Sequence, residues 1–382
     1  MTKVISISTD RNIFVTGSTV QKRQTEYGQL FDELHVVVFS KGFMGLPRKI
    51  ELAPNVWAYG TSSISKLFYM SDAKRLAHKI ITSRALLSKD VVVSTQDPFE
   101  TGLVGLSLKK KFKISLHVQI HTDFLSPYFI GESLINRGRA MFASRVLRHA
   151  DAVRVVSKRI ASSLSRVALK TGVVPVVLPI YVDIEKFESA PVTVDLKKKY
   201  PQFNFIVLIA SRLTREKNIS LGIMAFSKLL GLNTRTGLVV VGSGPEERKL
   251  KSLVKKLKID KSVVFEPWQN DLISYYKTAN LFLVTSNYEG YGMTIVEAIA
   301  SHCPVVSTDV GIAKEILQDG ISFVCPVGDE NCFVDLTLKL IADNALRERF
   351  GFEARGRLGE VTFSLKKDYL DAYKKSIDAA SY

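Results

Sequence analysis

Cysteine is scarce in this sequence. The 382 residues include three, Cys303, Cys325 and Cys332, and all of them lie in the last third of the chain. Their spacings match no zinc motif. We therefore expect buried or surface thiols in a reducing compartment, and no metal site built on cysteine.

Long apolar runs are also lacking. The longest, VVPVVLPIYV at residues 173–182, is far shorter than the roughly 20 residues that span a bilayer. The apolar residues near the start, in KVISIS, alternate as in a β-strand and are too few for the core of a signal peptide. The sequence thus predicts a cytoplasmic protein, free or peripheral on the inner face of the cell membrane.

Acidic residues are few relative to basic ones. The chain has 53 Lys and Arg against 37 Asp and Glu, a formal net charge of +16. Residues 1–185 hold 26 of these bases and 14 of the acids, which gives +12 and leaves +4 for the remainder. A basic first half suits an anionic partner, either a lipid headgroup, a nucleic acid or a phosphorylated acceptor.

Short β-branched runs alternate with helical patterns along most of the chain, which indicates α/β units around parallel sheets. In the first half we predict strands at KVISIS, LHVVVFS, VWAYG, VVVST, KISLHVQ, AVRVVS and PVVLPI. Helices are predicted over residues 66–88, 133–149 and 158–170. A second series of strands comprises FNFIVLIA, TGLVVVG, SVVFEP, NLFLVTS, PVVST and SFVCPV.

The length and the two series of strands predict two Rossmann-like domains that face each other across a cleft. Their boundaries are expected at residues 1–185 and 186–363, with a final helix over 364–382. In such sheets ligands bind beyond the carboxyl ends of the strands. The loops at those ends are therefore the places to look for functional residues.

The loop SRLTREKN after strand FNFIVLIA carries Arg212 and Lys217, five positions apart. Two long cations at a strand's carboxyl end can hold a diphosphate and neutralise the charge that develops on it as a sugar departs. The alternative is a solvated charged turn. In the next loop, GSGPEERKL, Gly242 permits a close approach of the backbone to phosphate, but such turns are common in α/β proteins.

The segment EGYGMTIVE follows strand NLFLVTS and holds two acids, Glu289 and Glu297, around the start of a predicted helix. With Gly292 just before the helix, the amides of Met293 and Thr294 form a natural anion site. Glu289 can reach sugar hydroxyls, and Glu297 can accept hydrogen bonds from a ribose. The alternative makes the first acid a partner of the helix dipole and the second an exposed helical acid.

In the first half, strand KISLHVQ leads into IHTDFLSP and places His121 at another carboxyl end. A histidine there can donate a hydrogen bond to a sugar, a phosphate or an acceptor. The alternative is a purely structural histidine.

The segments SRLTREKN, EGYGMTIVE and VSTDVGIAKEIL together resemble motifs of the retaining GT-B-fold glycosyltransferases of group 1, also called family four. The resemblance covers nearly the whole chain and is most specific in the second half. It implies that residues 1–185 bind the acceptor and residues 186–363 the nucleotide sugar. It also implies that the final helix crosses back to the first domain.

Carried over position by position, the resemblance implies that Arg212 and Lys217 bind the diphosphate of the donor, helped by the amides near Gly292. Glu289 would hold the transferred sugar and Glu297 the ribose. Residues 265–268, which include Pro267, would flank the base. His121 matches the histidine that the first domain of this family contributes to the cleft.

Two departures from the family pattern concern glycine. His302 stands where the family has glycine before the PVVST strand, and Ile312 replaces the second glycine of a pair. The glycine-rich loop expected after the first strand is absent, and Gly17 alone remains for close approach to a phosphate or an acceptor. Lys22 and Arg23 nearby either read an anionic acceptor or face solvent.

The chain contains no D-x-D motif, so the cations rather than a metal ion are expected to neutralise the diphosphate. We predict a glycosyltransferase that needs no cofactor, retains the anomeric configuration and lets the departing phosphate take the acceptor's proton. The family implies this mechanism.

The basic segment INRGRAMFASRVLRHA, with Arg137, Arg145 and Arg148, suggests docking on an anionic membrane, where lipid-linked acceptors are found. A solvated basic surface is the alternative. For the whole chain, a nucleotide-sugar epimerase of the same architecture is a second enzyme hypothesis. A basic nucleic-acid-binding protein is a third, but no recognisable binding motif supports it.

Overall fold

The computed structural model describes residues 2–86, 91–230, 235–319 and 321–381. The chain divides into two compact units, one formed by Met1–Leu178 with Lys367–Tyr382 and the other by Pro179–Lys366. The boundaries predicted after residues 185 and 363 lie close to these divisions.

The first unit is built on a twisted α/β sheet whose strands are β1 Lys3–Ser8, β2 Glu33–Val38, β3 Lys49–Ala53, β4 Val56–Gly60, β5 Val91–Thr95, β6 Ser115–Ile120, β7 Ala152–Val155 and β8 Val176–Val177. They are ordered β3-β4-β2-β1-β5-β6-β7-β8. Neighbouring strands are parallel except for the antiparallel pair of β3 and β4. Because helices cover both faces of a parallel sheet, the central strands β2, β5 and β6 are almost completely buried.

The edges of this sheet differ from the prediction. Strand β3 was not predicted, because its side chains are exposed or half-buried and show no continuous apolar run. The predicted strand PVVLPI is reduced to the two exposed residues of β8. Prolines on either side of this pair cannot donate to a ladder, which limits its length.

The helices of the first unit are α1 Thr19–Gly28, α2 Tyr69–Ser83, α3 Glu100–Phe112, α4 Pro127–Glu132, α5 Leu134–Leu147 and α6 Lys158–Ser163. Positions 87 and 88 of the helix predicted over 66–88 lie outside the described residues. The helix predicted over 158–170 ends at Ser163 and continues only as a single 3-10 turn, Leu164–Arg166. Its buried side chains, Ile160 and Leu164, leave no apolar stripe that would hold further turns.

The second unit has its own parallel sheet, formed by β9 Phe205–Ala210, β10 Thr236–Val241, β11 Val263–Glu266, β12 Leu281–Val284, β13 Val305–Thr308 and, after the short hairpin β14 Gln318–Asp319 and β15 Ile321–Ser322, β16 Val324–Cys325. The strand order is β11-β10-β9-β12-β13-β16. The order reverses between β9 and β12, which are direct neighbours. Loops that leave the sheet on opposite sides of such a reversal open a crevice between them.

Helices of the second unit alternate with its strands. They are α7 Ile184–Ser189, α8 Leu196–Lys199, α9 Ile219–Leu230, α10 Glu247–Lys256, α11 Leu272–Thr278, α12 Met293–Ala300, α13 Ala313–Leu317, α14 Glu330–Ala342, α15 Asn344–Gly356 and α16 Leu358–Val361. The prediction of two parallel-sheet α/β domains is confirmed.

The last helix, α17 Lys366–Asp378, packs on the first unit through tyrosine side chains. The ring of Tyr373 stacks on that of Tyr27 from α1 with 4.2 Å between centroids, and the hydroxyls of Tyr27 and Tyr369 lie 2.9 Å apart. Near the end of α17, Asp378 accepts a hydrogen bond of 2.6 Å from Thr2. The final helix is therefore part of the core of the first unit.

The cysteines differ from the expectation of three thiols. Cys325 and Cys332 are joined in a disulfide, because the turn after β16 brings the start of α14 back beside the strand. Cys303 is a buried thiol, and burial raises its pKa. In the described residues no helix combines the length and apolar character needed to cross a bilayer.

Two helical glycines of the first unit allow a matched test of this packing. A Cβ on Gly105 in α3 would lie 2.5 Å from the Thr95 methyl and 2.8 Å from a Leu116 methyl, whereas a Cβ on Gly138 in α5 would meet nothing closer than 4.0 Å. We expect Gly105→Ala to lower the free energy of unfolding by about 1–2 kcal/mol through overpacking. Gly138→Ala should raise it by about 0.5–1 kcal/mol through helix propensity. Urea unfolding followed by circular dichroism measures both, and equal signs would contradict the packing described for α3.

Candidate functional site

The predicted residues of the second unit gather at the reversal point between β9 and β12. The loop after β9 carries Lys217 and the loop after β12 carries Glu289. The Lys217 Nζ lies 2.5 Å from the Glu289 Oε1. Two side chains that are 72 positions apart in the sequence are therefore in direct contact.

The pair is well anchored and largely shielded from water. Side-chain exposure is 17% for Lys217 and 16% for Glu289, and Ser286 donates a second hydrogen bond of 2.7 Å to Glu289 Oε1. The Thr285 hydroxyl donates to the backbone carbonyl of Lys217 at 2.8 Å. Removing either charge would leave the other half-buried and unpaired, which is costly.

The backbone around Lys217 is held in an unusual conformation. Asn218 has a φ of 43°, in the left-handed region, and its side chain donates to Asn287 at 3.0 Å. The amide of Asn287 in turn donates to the carbonyl of Glu216 at 2.7 Å. These contacts join the two loops directly, so the position of Lys217 does not depend on its own side chain.

Arg212 lies in the same loop but outside this contact. Its side chain is 67% exposed and forms an ion pair with Glu216 at 3.2 Å. An exposed i,i+4 pair is weak, so this guanidinium can leave Glu216 for a stronger anion. The structure thus separates the two cations that the sequence grouped together, with one buried in an ion pair and one near the surface.

Gly242 and Gly244 let the loop after β10 lie against the loop after β9. A Cβ on Gly242, whose φ is 143°, would lie 1.9 Å from the carbonyl oxygen of Ser211, and a Cβ on Gly244 would lie 2.3 Å from that of Leu213. The Gly242 amide also donates to the carbonyl of Glu266 at 3.0 Å. Gly242 therefore has a structural reason to be glycine, and it links three loops at this edge of the sheet.

Helix α12 begins beside the ion pair without a side-chain cap. Gly292 is the N-cap with a φ of 95°, and within the described residues the amides of Met293 and Thr294 have no hydrogen-bond partner. Thr294 lines a narrow pocket together with Ser211, Lys217 and Glu289. An anion at this helix N-terminus would meet the free amides of Met293 and Thr294 on the side where Thr294 lies beside the Lys217 ammonium group.

Glu297 lies one turn into α12. Burial raises the pKa of its carboxyl, although a hydrogen bond from the Tyr276 hydroxyl at 3.3 Å and the charge of Lys186 oppose this effect. Glu297 is therefore not the exposed helical acid of the alternative interpretation. Because a charged carboxylate is costly at this position, we expect Glu297 to have a role in binding rather than in stability.

Glu266, at the end of β11, lies in the segment 265–268 that was predicted to flank the base, but no role for its own side chain was predicted. Burial favours a raised pKa, but hydrogen bonds from Lys199, Tyr200 and Tyr275 outweigh it and hold the pKa of Glu266 below its ordinary value. These contacts fix the start of the segment that continues into Pro267. The only signal in the sequence is the acid at the end of an apolar strand, which by itself indicates an exposed residue.

The two predicted residues of the first unit occupy different places in it. His121 directly follows β6, and burial together with the charge of Arg154 lowers the pKa of its imidazole to about 3. Gly17 precedes α1 with a φ of 74°, and a Cβ there would have no neighbour within 4 Å. Gly17 is therefore required by its backbone conformation and has open space around it.

Among the described residues no three His, Cys, Asp or Glu side chains are grouped as metal ligands. The site is instead formed by Lys217, Glu289 and Thr294 around one pocket, with Arg212, Gly242 and Pro267 on adjoining loops.

Residues 195–357 match the family described as "Glycosyl transferases, group 1". The chain is 26% identical over 321 residues to the alpha-monoglucosyldiacylglycerol synthase of Streptococcus pneumoniae, a match that covers 80% of this chain and 72% of the relative. It is 31% identical over 163 residues to the N-acetyl-alpha-D-glucosaminyl L-malate synthase of Bacillus anthracis, which covers 42% of each chain.

Solved structures share the fold across the full length. The sucrose-phosphate synthase of Thermosynechococcus elongatus superimposes with a TM-score of 0.79 at 20% identity, covering 98% of both chains. The Anabaena protein HepE in complex with UDP and glucose gives 0.75 at 18% identity, covering 99% of this chain and all of the other.

Two α/β domains of this topology, with a charged crevice at the reversal point of the second sheet, define the class. The chain is a glycosyltransferase with the GT-B fold. More specifically, residues 195–357 match the group 1 glycosyltransferases.

The raised pKa of Glu297 predicts a pH-dependent effect on stability. Because the folded state binds this proton more tightly than the unfolded state, the wild-type chain loses stability as the pH rises through the folded pKa of Glu297. Glutamine does not titrate and can still accept the Tyr276 bond. We therefore expect Glu297→Gln to raise the melting temperature at pH 7, with the gain disappearing below the ordinary glutamate pKa of about 4.3.

Melting curves between pH 4 and pH 8 measure this difference. Glu360→Gln, at an exposed position of α16, is the matched control and should show no such trend. A gain that is the same at pH 4 and pH 7 would contradict the burial described for Glu297.

Proposed function

We propose that this glycosyltransferase transfers a sugar from a nucleoside-diphosphate sugar to a lipid-linked or cell-envelope acceptor, retains the anomeric configuration and needs no metal ion or other cofactor. The observation that carries the proposal is the contact between Lys217 and Glu289 at the reversal point of the second sheet. It places a cation and a carboxylate side by side, as a donor with an anionic diphosphate and a hydroxyl-rich sugar requires.

In this proposal the bound donor separates the ion pair, because its diphosphate and its sugar each interact with one member of the pair. The Lys217 ammonium turns to the diphosphate, and Glu289 accepts hydrogen bonds from sugar hydroxyls. Arg212 can leave Glu216 and add a second cation, and the free amides of Met293 and Thr294 add donors that need no rearrangement. Charge-assisted bonds of this kind strengthen as charge builds on the leaving group.

The other residues proposed to contact the nucleotide lie at the same edge of the sheet. Glu297 would accept hydrogen bonds from the ribose, and Gly242 would allow the backbone near the phosphates. Pro267 would lie against the base. The buried carboxylate of Glu266 supports this last role, because it fixes the segment that Pro267 continues.

Retention and metal independence are supported by the family and by the charges of the site. Group 1 enzymes typically retain configuration, and here Lys217 and Arg212 can neutralise a diphosphate between them. The departing phosphate would accept the proton of the attacking hydroxyl. His121 of the first unit is assigned to the hydroxyl groups of the substrates.

The acceptor is assigned from a relative and from one surface. The relative from Streptococcus pneumoniae is named for a glucosyl lipid. Helix α5 of the first unit carries exposed apolar side chains, with Leu134 80% and Met141 66% exposed. At 100° per residue these two share an arc of about 80° with Arg137, Arg145 and Arg148, which are also exposed.

Apolar and basic side chains on one helical face suit an anionic membrane, which offers both headgroup charge and hydrocarbon. The proposed location is therefore the cytoplasmic face of the cell membrane, with Gly17 near the acceptor in the first unit.

The donor assignment is tested with Lys217→Ala. A panel of UDP- and GDP-sugars first identifies the donor by the rise in melting temperature that a bound ligand produces. With that donor and diacylglycerol or glucosyldiacylglycerol in mixed micelles, we expect Lys217→Ala to lower the transfer rate by about 10²–10³-fold, because the leaving group loses its shielded cation.

Arg215→Ala is the matched control, since Arg215 lies in the same loop and is 70% exposed; it should transfer sugar normally. Circular dichroism verifies that the Lys217 variant is folded. Near-normal transfer by that variant would refute the assignment. Conversion of the donor without any acceptor would instead indicate an epimerase.

The membrane assignment is tested by sedimentation with vesicles. We expect the protein to pellet with vesicles that contain phosphatidylglycerol at low salt, and not with pure phosphatidylcholine. Changing Arg137, Arg145 and Arg148 together to glutamine should weaken binding by about 10²-fold, since each juxtamembrane base contributes roughly 1 kcal/mol.

The control with the same loss of charge changes Lys249, Lys255 and Lys256 of α10, all exposed, and should bind as the wild type does. If the protein stayed in the supernatant with anionic vesicles at low salt, the membrane role of α5 would be wrong.

A further inference from the structure

A chain of buried polar side chains crosses one face of the first sheet and ends at His121. His117 and Gln119 of β6 alternate with apolar residues, so their side chains lie on one face of the sheet. His121 follows Gln119 two positions later, on the same side. His117 contacts the Ser94 hydroxyl at 2.9 Å, and Gln119 lies between Ser94 and His121. The order of contacts is thus Ser94, Gln119, His121.

Arg154 of β7 is the charged member of this chain. It is 2% exposed and lies opposite Gln119 in the strand register. Its Nη1 donates to Gln119 Oε1 at 2.9 Å, and its Nη2 donates to the Tyr369 hydroxyl at 3.3 Å. In the part of the chain that the structure describes, these neutral acceptors and the carbonyl of Leu178 are its partners, and no carboxylate is among them.

The guanidinium fixes the orientation of the Gln119 amide. Arginine can only donate hydrogen bonds, so the Gln119 atom that faces it must be the carbonyl oxygen. The amide nitrogen of Gln119 then points to the Ser94 hydroxyl, at 3.1 Å. In the reversed orientation the NH2 group of Gln119 would face the guanidinium of Arg154, and two hydrogen-bond donors would then point at each other.

The orientation of Gln119 in turn fixes the tautomer of His121. The His121 Nε2 lies 3.3 Å from the same carbonyl oxygen, which can only accept. The proton of the neutral ring must therefore be on Nε2, and Nδ1 carries a lone pair. Among the described residues no group donates to that Nδ1.

We infer that Arg154 is a positioning residue which, through Gln119, holds His121 as the Nε2–H tautomer so that Nδ1 accepts a hydrogen bond from a hydroxyl of the sugar donor or the acceptor. The contact between His121 and a substrate hydroxyl rests on the proposed function. The assignment of the tautomer does not. It reverses the donor role that the sequence suggested for His121.

Burial is the main cause that keeps the His121 ring neutral, and the positive charges of Arg154 from β7 and Arg23 from α1 act in the same direction. His117 from β6 is itself neutral, because burial lowers its pKa to about 3. Since protonation would place a hydrogen on Nδ1, the neutral ring is the form that can accept.

Helix α17 closes the chain of contacts on the far side of Arg154. The guanidinium lies 5.1 Å from the centroid of the Tyr373 ring, and the Tyr369 hydroxyl accepts a hydrogen bond from its Nη2. The last helix of the chain thereby holds the arginine that sets His121.

Nitrogen-15 spectra of the full-length protein labelled at histidine test the tautomer without any substrate. The six histidines are resolved by their nitrogen shifts, and His121→Asn identifies the signals of His121. We expect Nε2 to carry the proton from pH 5 to pH 8 without titration. A proton on Nδ1, or titration within this range, would overturn the inference.

Two variants separate the roles of charge and hydrogen bonding. Arg154→Met should let His121 populate both tautomers and raise its pKa. Gln119→Leu should release the tautomer while Arg154 keeps the pKa low. Arg75→Gln, which removes an exposed charge from the same unit, should change neither. If the spectra of His121 are unchanged from the wild type in both Arg154→Met and Gln119→Leu, the positioning role is overturned. If Arg154→Met does not fold, Gln119→Leu alone tests whether the tautomer depends on this chain of contacts.

Transfer kinetics test the hydroxyl contact. With the donor identified by melting temperature, the wild-type rate should show no inflection from His121 between pH 5 and pH 8, and Arg154→Met should lose activity as the pH falls. Near-normal transfer by His121→Ala would overturn the substrate contact. The tautomer spectra remain decisive if the protein transfers no sugar at all, so failure of the proposed function is distinguishable from failure of this inference.

Discussion

The ion pair between Lys217 and Glu289 depends on the reversal of strand order in the second sheet. Because β9 and β12 are direct neighbours, loops that are distant in sequence leave the sheet side by side, and each charge makes the burial of the other tolerable. In the proposed function the same pair separates when an anionic donor enters. A donor that offers an anion to the lysine and hydroxyls to the glutamate gives both charged side chains a new partner. A ligand with only one of these groups leaves one charge half-buried and unpaired.

The elements that could be predicted from the sequence are those with long buried runs. Strands such as β9 and β10 are continuous and apolar, and the loops after β9 and β12 carry the charged residues that were assigned to one donor. The elements that could not be predicted have little burial of their own. Strand β3 is an exposed edge, α6 lacks an apolar stripe, and the pairing of Cys325 with Cys332 depends on a turn that brings α14 back to β16.

Arg154 and Glu266 show a different reason for failure. Each lies in a short strand where alternation indicates an outward-facing side chain, yet each is buried by partners far away in the sequence. Arg154 contacts Tyr369, which is 215 residues away, and Glu266 contacts Lys199. A local pattern cannot distinguish a charge that faces water from one that faces a later helix, because the difference is made entirely by tertiary contacts.

These buried charges share a cost and a purpose. Burial raises the pKa of Glu297 and the partners of Arg154 are neutral, so each charge is held at a desolvation cost that no opposite charge fully offsets. The first keeps a carboxylate on the helix beside the proposed donor pocket, and the second is proposed to fix the hydrogen on a histidine of the other unit. Because both groups are oriented before any ligand binds, little reorganisation is left for the moment of reaction, and orientation in advance is what makes such electrostatic contacts effective in transfer.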